Sequence, residues 1–240
     1  MFIEKLNLPC YTLGIGCESY MRLENVTKFF NKKQENIKVL DHVTYQFEMK
    51  KMYAITGHSG SGKTTLINIL GLIEPPTSGK LFIDNQDVSQ INDYEISKLR
   101  SKKIGFIFQN YYLDENLKAY ENVIVPLILN EKIKRQDRKE IAINLLKKFG
   151  LENRVNHFPK ELSGGECQRV AIARAMANNP DIILADEPTG NLDEKNEVLI
   201  FEELKKLSQE GKCVIVVSHS NKVKNYADVL LTIEGGRLNE

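Results

Sequence analysis

Tyr53-Ala-Ile-Thr-Gly-His-Ser-Gly-Ser-Gly-Lys-Thr-Thr-Leu-Ile67 decides the fold of this chain. It combines a short apolar strand, a glycine-rich loop and the start of an apolar helix. Gly57, Gly62, Lys63 and Thr64 have the spacing of a phosphate-binding loop, G-x-x-x-x-G-K-[ST]. Glycines let the backbone turn its N–H groups towards a polyphosphate, and the helix N-terminus adds a favourable dipole. The stretch therefore predicts a nucleoside triphosphate site.

The residue types of this loop predict separate roles. Lys63 is expected to reach the β- and γ-phosphates, and the Thr64 hydroxyl to ligate Mg²⁺. The residues expected to contact the nucleotide are Gly57, His58, Ser59, Gly60, Ser61, Gly62, Lys63, Thr64 and Thr65. A glycine-rich turn that binds nothing is the alternative. The strand before the loop and the helix after it favour the binding site, because the motif requires that context.

Length and charge limit the class of protein. A chain of 240 residues allows one large domain, or a domain with a small subdomain. Its 33 basic and 32 acidic residues give a net charge of +1, so composition gives no reason to expect a nucleic acid partner.

Cysteine spacing and hydropathy indicate the compartment. The four cysteines, at 10, 17, 167 and 213, form no C-x-x-C pair, which favours a reduced, cytoplasmic chain over a zinc site or a disulfide framework. No apolar run approaches the roughly 18 residues that span a bilayer. Residues 1–20 are expected to be a poorly ordered extension, and residues 21–240 the working domain.

The order of strand and helix patterns predicts an α/β fold, a P-loop NTPase core with a mostly parallel sheet. Early strands with no helices between them predict an N-terminal antiparallel β layer beside that sheet. A helical block at about 110–175 is expected to be an inserted subdomain. The predicted strands are 21–30, 43–52, 53–56, 80–83, 104–109, 181–186, 213–218 and 229–233. Residues 31–36 are predicted to be a polar turn, and 121–150 and 194–209 to be helical.

The apolar strand Asp181–Asp186 ends in a second nucleotide signal. Ligands of open α/β sheets bind beyond the carboxyl ends of the strands, where Asp186 and Glu187 lie. Asp186 is expected to help hold Mg²⁺, and Glu187 to act as the general base that takes a proton from the attacking water. The alternative for the pair alone is a solvated acidic turn.

Leu162-Ser-Gly-Gly-Glu166 precedes an apolar helix and is the most specific stretch of the chain. Ser163 and the amides of Gly164 and Gly165 form a second anion cradle at a helix start. One phosphate loop already wraps one triphosphate, so a second cradle on the same chain needs another explanation. An ordinary capped helix start is the alternative.

With these motifs in this order, the chain resembles the ATP-binding-cassette ATPases, the nucleotide-binding domains of ABC transporters, from about Met21 to its C-terminus. The resemblance implies that Gln109 is the glutamine that touches Mg²⁺ and the attacking water and faces the membrane partner. It implies that His219 lies near the γ-phosphate. Residues 162–166, Glu166 included, would cap ATP held by a second copy, and Asp193 would belong to the loop that contacts the nucleotide region.

The resemblance also implies that Phe30 stacks on adenine. Three interpretations stay open from the residues alone: Gln109 as a polar strand end, His219 as a core histidine, and Phe30 as a core residue, with Phe29 competing for its role. Three positions depart from the usual family residue, namely Phe30, Thr64 and Glu166. None of them implies an inactive site.

A narrower resemblance rests on Ile104–Asn110, Glu121–Leu127 and Ala185–Asp193. These stretches are similar to the ATPases of macrolide export, lipoprotein release and antimicrobial-peptide export or resistance. The implied protein hydrolyses ATP in a head-to-tail dimer and drives a separate membrane permease from the inner face of the cell membrane. The alternatives are a cell-division type regulator of a membrane complex, or a non-transport ABC ATPase acting on ribosomes or nucleic acid.

Overall fold

The computed structural model describes residues 19–32 and 35–240, which form two β-sheets and six α-helices. The strands are β1 (Ser19–Lys32), β2 (Glu35–Glu48), β3 (Met52–Thr56), β4 (Ser78–Ile83), β5 (Gln86–Asp87), β6 (Ile104–Phe108), β7 (Ile182–Asp186), β8 (Cys213–Val217), β9 (Val229–Glu234) and β10 (Arg237–Asn239). The helices are α1 (Lys63–Leu70), α2 (Asp93–Lys103), α3 (Ala119–Ile128), α4 (Arg138–Lys148), α5 (Gly164–Ala175) and α6 (Glu194–Gln209).

The larger sheet has six strands in the order β10-β9-β3-β8-β7-β6. Its strands pair in parallel, except that β10 runs antiparallel to β9. The smaller sheet, β2-β1-β4-β5, is antiparallel throughout. The predicted fold, a mostly parallel sheet with an N-terminal antiparallel layer, is therefore confirmed.

Side chains along the central strands alternate between two buried clusters, one on each face of the larger sheet. In β3, Tyr53 and Ile55 belong to a buried apolar cluster shared with β1, β2 and α1. Met52 and Ala54 belong to a second buried cluster shared with α3, α4, α5 and α6. Strands buried on both sides have continuous apolar sequences, as β3, β7 and β8 do. The helix that follows the glycine-rich loop thus lies between the two sheets.

The helical segment is interrupted, so the prediction of one helical stretch from 121 to 150 was wrong in its continuity. α3 ends at Ile128, and α4 begins only at Arg138. Pro126 lacks an N–H and weakens the last turn of α3. The Asn130 side chain then accepts a hydrogen bond from the Lys132 amide (3.1 Å), which holds a turn in place of helix. The charged residues 131–137 therefore form turns, and α4 begins after them.

Strand boundaries also differ from the prediction. β1 begins at Ser19, and the pair Lys32–Glu35 continues the hairpin into the predicted polar turn. β2 stops at Glu48, and a turn with Lys50 in the left-handed region (φ 63°) separates it from β3. The sequence did not indicate α2, because none of its side chains is fully buried. Most of the predicted extension, residues 1–18, lies outside the described residues.

Among the helices that the structure describes, none is long and apolar enough to cross a bilayer. Cys167 and Cys213 are both free thiols. Burial raises the pKa of the Cys213 thiol to about 12, so this sulfur is unreactive at neutral pH. The division into a core and a helical subdomain at about 110–175 stays a prediction.

Helix α6 offers a matched pair of leucines for testing where the core lies. Leu204 is fully buried against the sheet, and Leu199 on the same helix is 40% exposed. Leu204→Ala is expected to lower the free energy of unfolding by about 2–5 kcal/mol, since a cavity remains. Leu199→Ala is expected to lower it by less than about 1 kcal/mol. Urea unfolding followed by circular dichroism measures both; equal losses would contradict this arrangement of the core.

Candidate nucleotide site

The carboxyl ends of β3, β6, β7 and β8 meet at one edge of the larger sheet, because these strands are parallel. The glycine-rich loop follows β3, Gln109 follows β6, Glu187 follows β7 and His219 comes shortly after β8. They surround a cavity of about 420 Å³. Its lining residues are Val39, Ser59, Gly60, Gly62, Lys63, Thr64, Thr65, Gln109, Glu187 and His219. Four predicted elements thus come together, and Val39 is a lining residue that the sequence did not indicate.

The loop backbone is shaped by a glycine and held by a lysine. Gly62 has φ 108°, and a Cβ there would lie 2.8 Å from the Val39 carbonyl oxygen, so only glycine fits. The buried Lys63 ammonium donates to the carbonyl oxygens of Gly57 and His58, both at 2.9 Å. Burial lowers the pKa of Lys63, and the carboxylates of Glu187 and Asp186 oppose that shift. The Lys63 ammonium is therefore held beside the loop amides, where a polyphosphate would bind.

Three predicted loop residues, Gly57, His58 and Ser61, do not line the cavity, but the last two support its shape. His58 Nδ1 lies 2.9 Å from the Ser59 carbonyl oxygen. The Ser61 amide donates to the His58 carbonyl oxygen (3.2 Å), and the Ser61 hydroxyl is buried with no hydrogen-bond partner within the described residues. These contacts close the loop on itself.

Asp186 lies behind the loop, at the end of β7. Burial raises its pKa, as does the neighbouring Glu187, while Lys63 and a hydrogen bond with Thr64 lower it. Its Oδ1 atom is buried without a hydrogen-bond partner in the part of the chain that is described. The Asp186 carboxylate, the Thr64 hydroxyl and the Gln109 amide are oxygen ligands of the kind that Mg²⁺ prefers. This group of residues therefore fits a magnesium ion.

Glu187 and His219 form a pair at the edge of the cavity. Glu187 Oε2 accepts a hydrogen bond from the His219 amide (3.0 Å), and Glu187 Oε1 lies 3.5 Å from His219 Nε2. The Glu187 backbone is in the left-handed region (φ 48°), which strains a residue other than glycine. The His219 side chain is 53% exposed, so the interpretation as a core histidine is wrong. Both side chains are placed to meet a ligand at the phosphate end of the cavity.

The second cradle lies elsewhere. Ser163, Gly164, Gly165 and Glu166 do not line the cavity, and neither does Asp193, which caps α6 by accepting from the Asn196 amide (2.8 Å). Ser163 and Gly164 are exposed at the start of α5. Within one chain, the structure brings the loop, Gln109, Glu187 and His219 together and leaves this cradle apart.

The start of α5 is stabilised by a reciprocal cap. The Ser163 hydroxyl accepts from the Glu166 amide (3.3 Å), and Glu166 Oε2 accepts from the Ser163 amide (2.8 Å). Glu166 Oε1 also accepts from Arg154 Nε (2.8 Å). Arg154 and the Ser163 amide hold the pKa of Glu166 at about 2. A charged Glu166 therefore fixes the cradle at neutral pH.

Phe30 does not line the cavity either. Its side chain is 40% exposed, so the interpretation as a core residue is wrong, and Lys28 Nζ lies 5.2 Å from its ring centroid. Phe29 is half-buried, with Lys38 Nζ 5.8 Å from its ring centroid. The exposed ring of Phe30 is the better stacking surface of the two, and its contact with adenine stays a prediction.

Two polar residues of α5 reach the site from behind and were not singled out in the sequence. Gln168 is fully buried and donates to the carbonyl oxygen of Pro188 (2.7 Å). Arg174 donates to the carbonyl oxygens of Tyr111 (2.6 Å) and Tyr112, two residues in the left-handed region just after Gln109. The sequence signal that could have indicated Gln168 and Arg174 is a polar side chain on the apolar face of a helix.

Comparison with known proteins agrees with this geometry. A family model described as ABC transporter matches residues 40–190. The ATP-binding protein MJ0796 of Methanocaldococcus jannaschii is 44% identical over 91% of this chain and 94% of its own length. A solved dimeric structure of MJ0796 covers 92% of this chain and 97% of that chain, with a TM-score of 0.84. Another dimeric MJ0796 structure is a post-hydrolysis state bound to ADP and Pi.

Two further relatives are named for export or release systems. The macrolide export ATP-binding/permease protein MacB of Vibrio parahaemolyticus is 43% identical over 91% of this chain, which spans only 33% of MacB. The lipoprotein-releasing system ATP-binding protein LolD of Buchnera aphidicola is 40% identical over 89% of this chain and 93% of LolD. The chain therefore belongs to the ABC transporter family, as its ATP-binding and ATP-hydrolysing cassette.

The cap of α5 makes a prediction about acid stability. Because the pKa of Glu166 is lowered in the fold, its ion pair stabilises the protein above pH 4.5 and is lost as pH falls from 4.5 towards 2. Glu166→Gln keeps the cap but removes the charge, so it should cost about 0.5–1 kcal/mol at pH 7 and nothing below about pH 2. Urea unfolding across this pH range measures the difference.

A neighbouring cap provides the control. Glu161 Oε2 accepts from the Phe158 amide (2.7 Å) and has no ion-pair partner among residues 19–32 and 35–240. Glu161→Gln should therefore leave the pH dependence nearly unchanged. Arg154→Met should reproduce the Glu166→Gln loss, and the double variant should lose no more than either. Additive losses would show that the ion pair is not the cause.

Proposed function

We propose that this ATPase works as a head-to-tail dimer that hydrolyses Mg²⁺-ATP to drive a membrane permease. The observation that carries the proposal is the cavity where the glycine-rich loop, Gln109, Glu187 and His219 meet. Lys63 and the loop amides hold the β- and γ-phosphates. Thr64, Asp186 and Gln109 would hold Mg²⁺, which would neutralise phosphate charge when bound. Phe30 stacks on adenine.

Glu187 is the general base. Its Oε2 atom accepts from the His219 amide, whereas Oε1 accepts no hydrogen bond within the described residues and lies 3.5 Å from His219 Nε2. Oε1 is therefore the atom that takes the proton from the attacking water. His219 orients the γ-phosphate beside it. Positioning and charge stabilisation lower the barrier, and the strained backbone of Glu187 keeps its side chain in place.

The second copy completes the site. Ser163 and Gly164 are exposed, and with the amide of the buried Gly165 they form an anion cradle that does not line the cavity of its own chain. In the head-to-tail dimer this cradle, with Glu166 and the Asp193 loop, caps the nucleotide of the other copy. The solved dimeric structures of MJ0796 support such an assembly.

The names of two relatives support a proposal for the permease and the cargo. MacB combines ATP-binding and permease functions in one chain, and the present chain spans a third of it. LolD is the ATP-binding protein of a lipoprotein-releasing system. We therefore assign this cassette to export or resistance, with a peptide, antibiotic or lipoprotein-like cargo. It acts at the cytoplasmic face of the membrane, where the surface around Gln109 meets the permease.

Removal of the base tests the chemistry. Glu187→Gln is expected to lower ATP turnover by about 10²–10⁴-fold while ATP affinity stays within about threefold, because the phosphate contacts remain. The matched control is Glu210→Gln, which removes a surface carboxylate paired with Lys148 (2.5 Å). Phosphate release and titration with a fluorescent ATP analogue measure the two quantities. Unchanged turnover in Glu187→Gln would refute the role of this residue.

Mixing two inactive variants tests the shared site. Lys63→Ala damages the phosphate loop, and Gly164→Glu places a negative charge in the cradle, where it also suits a helix start. Each variant alone should be inactive. A head-to-tail heterodimer of the two has one site with both defects and one intact site. An equimolar mixture should therefore recover about a quarter of wild-type turnover. No recovery, with heterodimers demonstrated, would exclude a site built from two copies.

A further inference from the structure

Gln168 places a buried amide behind the site. Its side chain is 0% exposed, on the inner face of α5. The Nε2 group donates to the carbonyl oxygens of Pro188 (2.7 Å) and Phe108 (3.5 Å). The Oε1 atom is buried and has no hydrogen-bond partner in the described residues. An unpaired buried acceptor is unfavourable, so packing alone would be better served by an apolar side chain.

The two acceptors of this amide have informative neighbours. Pro188 directly follows Glu187, and Phe108 directly precedes Gln109. One side chain thus contacts the backbone beside the proposed general base, Glu187, and beside the proposed Mg²⁺ ligand, Gln109.

The backbone at Glu187 needs such support. Its φ of 48° is strained, and the proline that follows restricts it further. A strained residue persists where neighbours fix it from several directions. Here the Glu187 amide donates to the Val217 carbonyl oxygen (2.9 Å), and the Glu187 carbonyl oxygen accepts from the Gly190 amide (3.1 Å). These two hydrogen bonds come from the sheet and from the loop itself. The hydrogen bond from Gln168 to Pro188 adds support from a helix.

That helix begins with the second cradle. Ser163 caps α5, and Gln168 follows five residues later on the same rigid element. We infer that Gln168 is a positioning residue that sets the placement of Glu187 and Gln109 and links it to the cradle at the start of α5. It contacts neither the water nor the phosphates. The inference rests on the proposed role of Glu187.

Gln168→Met removes the amide at similar volume. Turnover is expected to fall by about 30–100-fold because Glu187 shifts, while the KM for ATP stays within about threefold. The matched control is Asn122, a second buried amide, which donates to the carbonyl oxygens of Asp114, Leu117 and Lys118 away from the cavity. Asn122→Leu should lower stability yet leave turnover at wild-type level below its unfolding temperature.

Two further readouts separate positioning from general damage. In a Glu187→Gln background, Gln168→Met should cause no further loss of turnover, because both changes remove the same contribution. The backbone amides of Glu187 and Gly190 should exchange with deuterium faster in Gln168→Met, and those of α1 should not. If the methionine variant does not fold, Gln168→Leu removes the amide with a smaller apolar side chain and should behave in the same way.

The outcomes distinguish this inference from the proposed function. Wild-type turnover in Gln168→Met, or a loss that adds fully to that of Glu187→Gln, would overturn the role of Gln168 alone. Continued hydrolysis by Glu187→Gln itself would instead remove the proposed base. A selective loss of turnover, with no added loss in the double variant and faster exchange at Glu187, supports the positioning role.

Discussion

The parallel pairing of β3 with β8, β8 with β7 and β7 with β6 is the constraint on which the rest of the site depends. Parallel strands end at the same edge, so four loops that are distant in sequence meet there. The pairing also brings Lys63, Asp186 and Glu187 within electrostatic range of one another. The Glu187 carboxylate raises the pKa of Asp186, Lys63 lowers it, and both carboxylates favour the charged form of the Lys63 ammonium. The strand pairing alone therefore places these three charged groups together.

The fold and the site could be predicted from the sequence where local chemistry and strand order agree. The glycine spacing before Lys63 and the apolar strand before Asp186 each carry their own signal, and both lie at the predicted edge of the sheet. Helix α2 has no comparable signal, since its apolar side chains are only partly covered. The break between α3 and α4 depended on how Asn130 uses its side chain, and such competition with the helix is hard to read from residue type.

The site also contains information that only packing provides. Gln168 and Arg174 lie within a stretch already recognised as specific, but their partners are backbone carbonyl oxygens about 20 to 60 residues away. A pattern of residue types cannot indicate such partners. Likewise, residue type cannot indicate that Phe30 is more exposed than Phe29, since both positions are phenylalanine.

Helix α5 joins three features of the structure: the cradle at Ser163, the amide of Gln168 behind the cavity and the Arg174 contacts to Tyr111 and Tyr112. Its 12 residues make a rod about 18 Å long. Pivoting about one end by about 5° moves the other end by about 1.5 Å, whereas a misplacement of about 1 Å can already slow an enzyme a hundredfold. A small tilt of α5 would therefore displace the residues that it supports. In the proposed function, a partner that tilts α5 would control ATP hydrolysis without contacting the nucleotide.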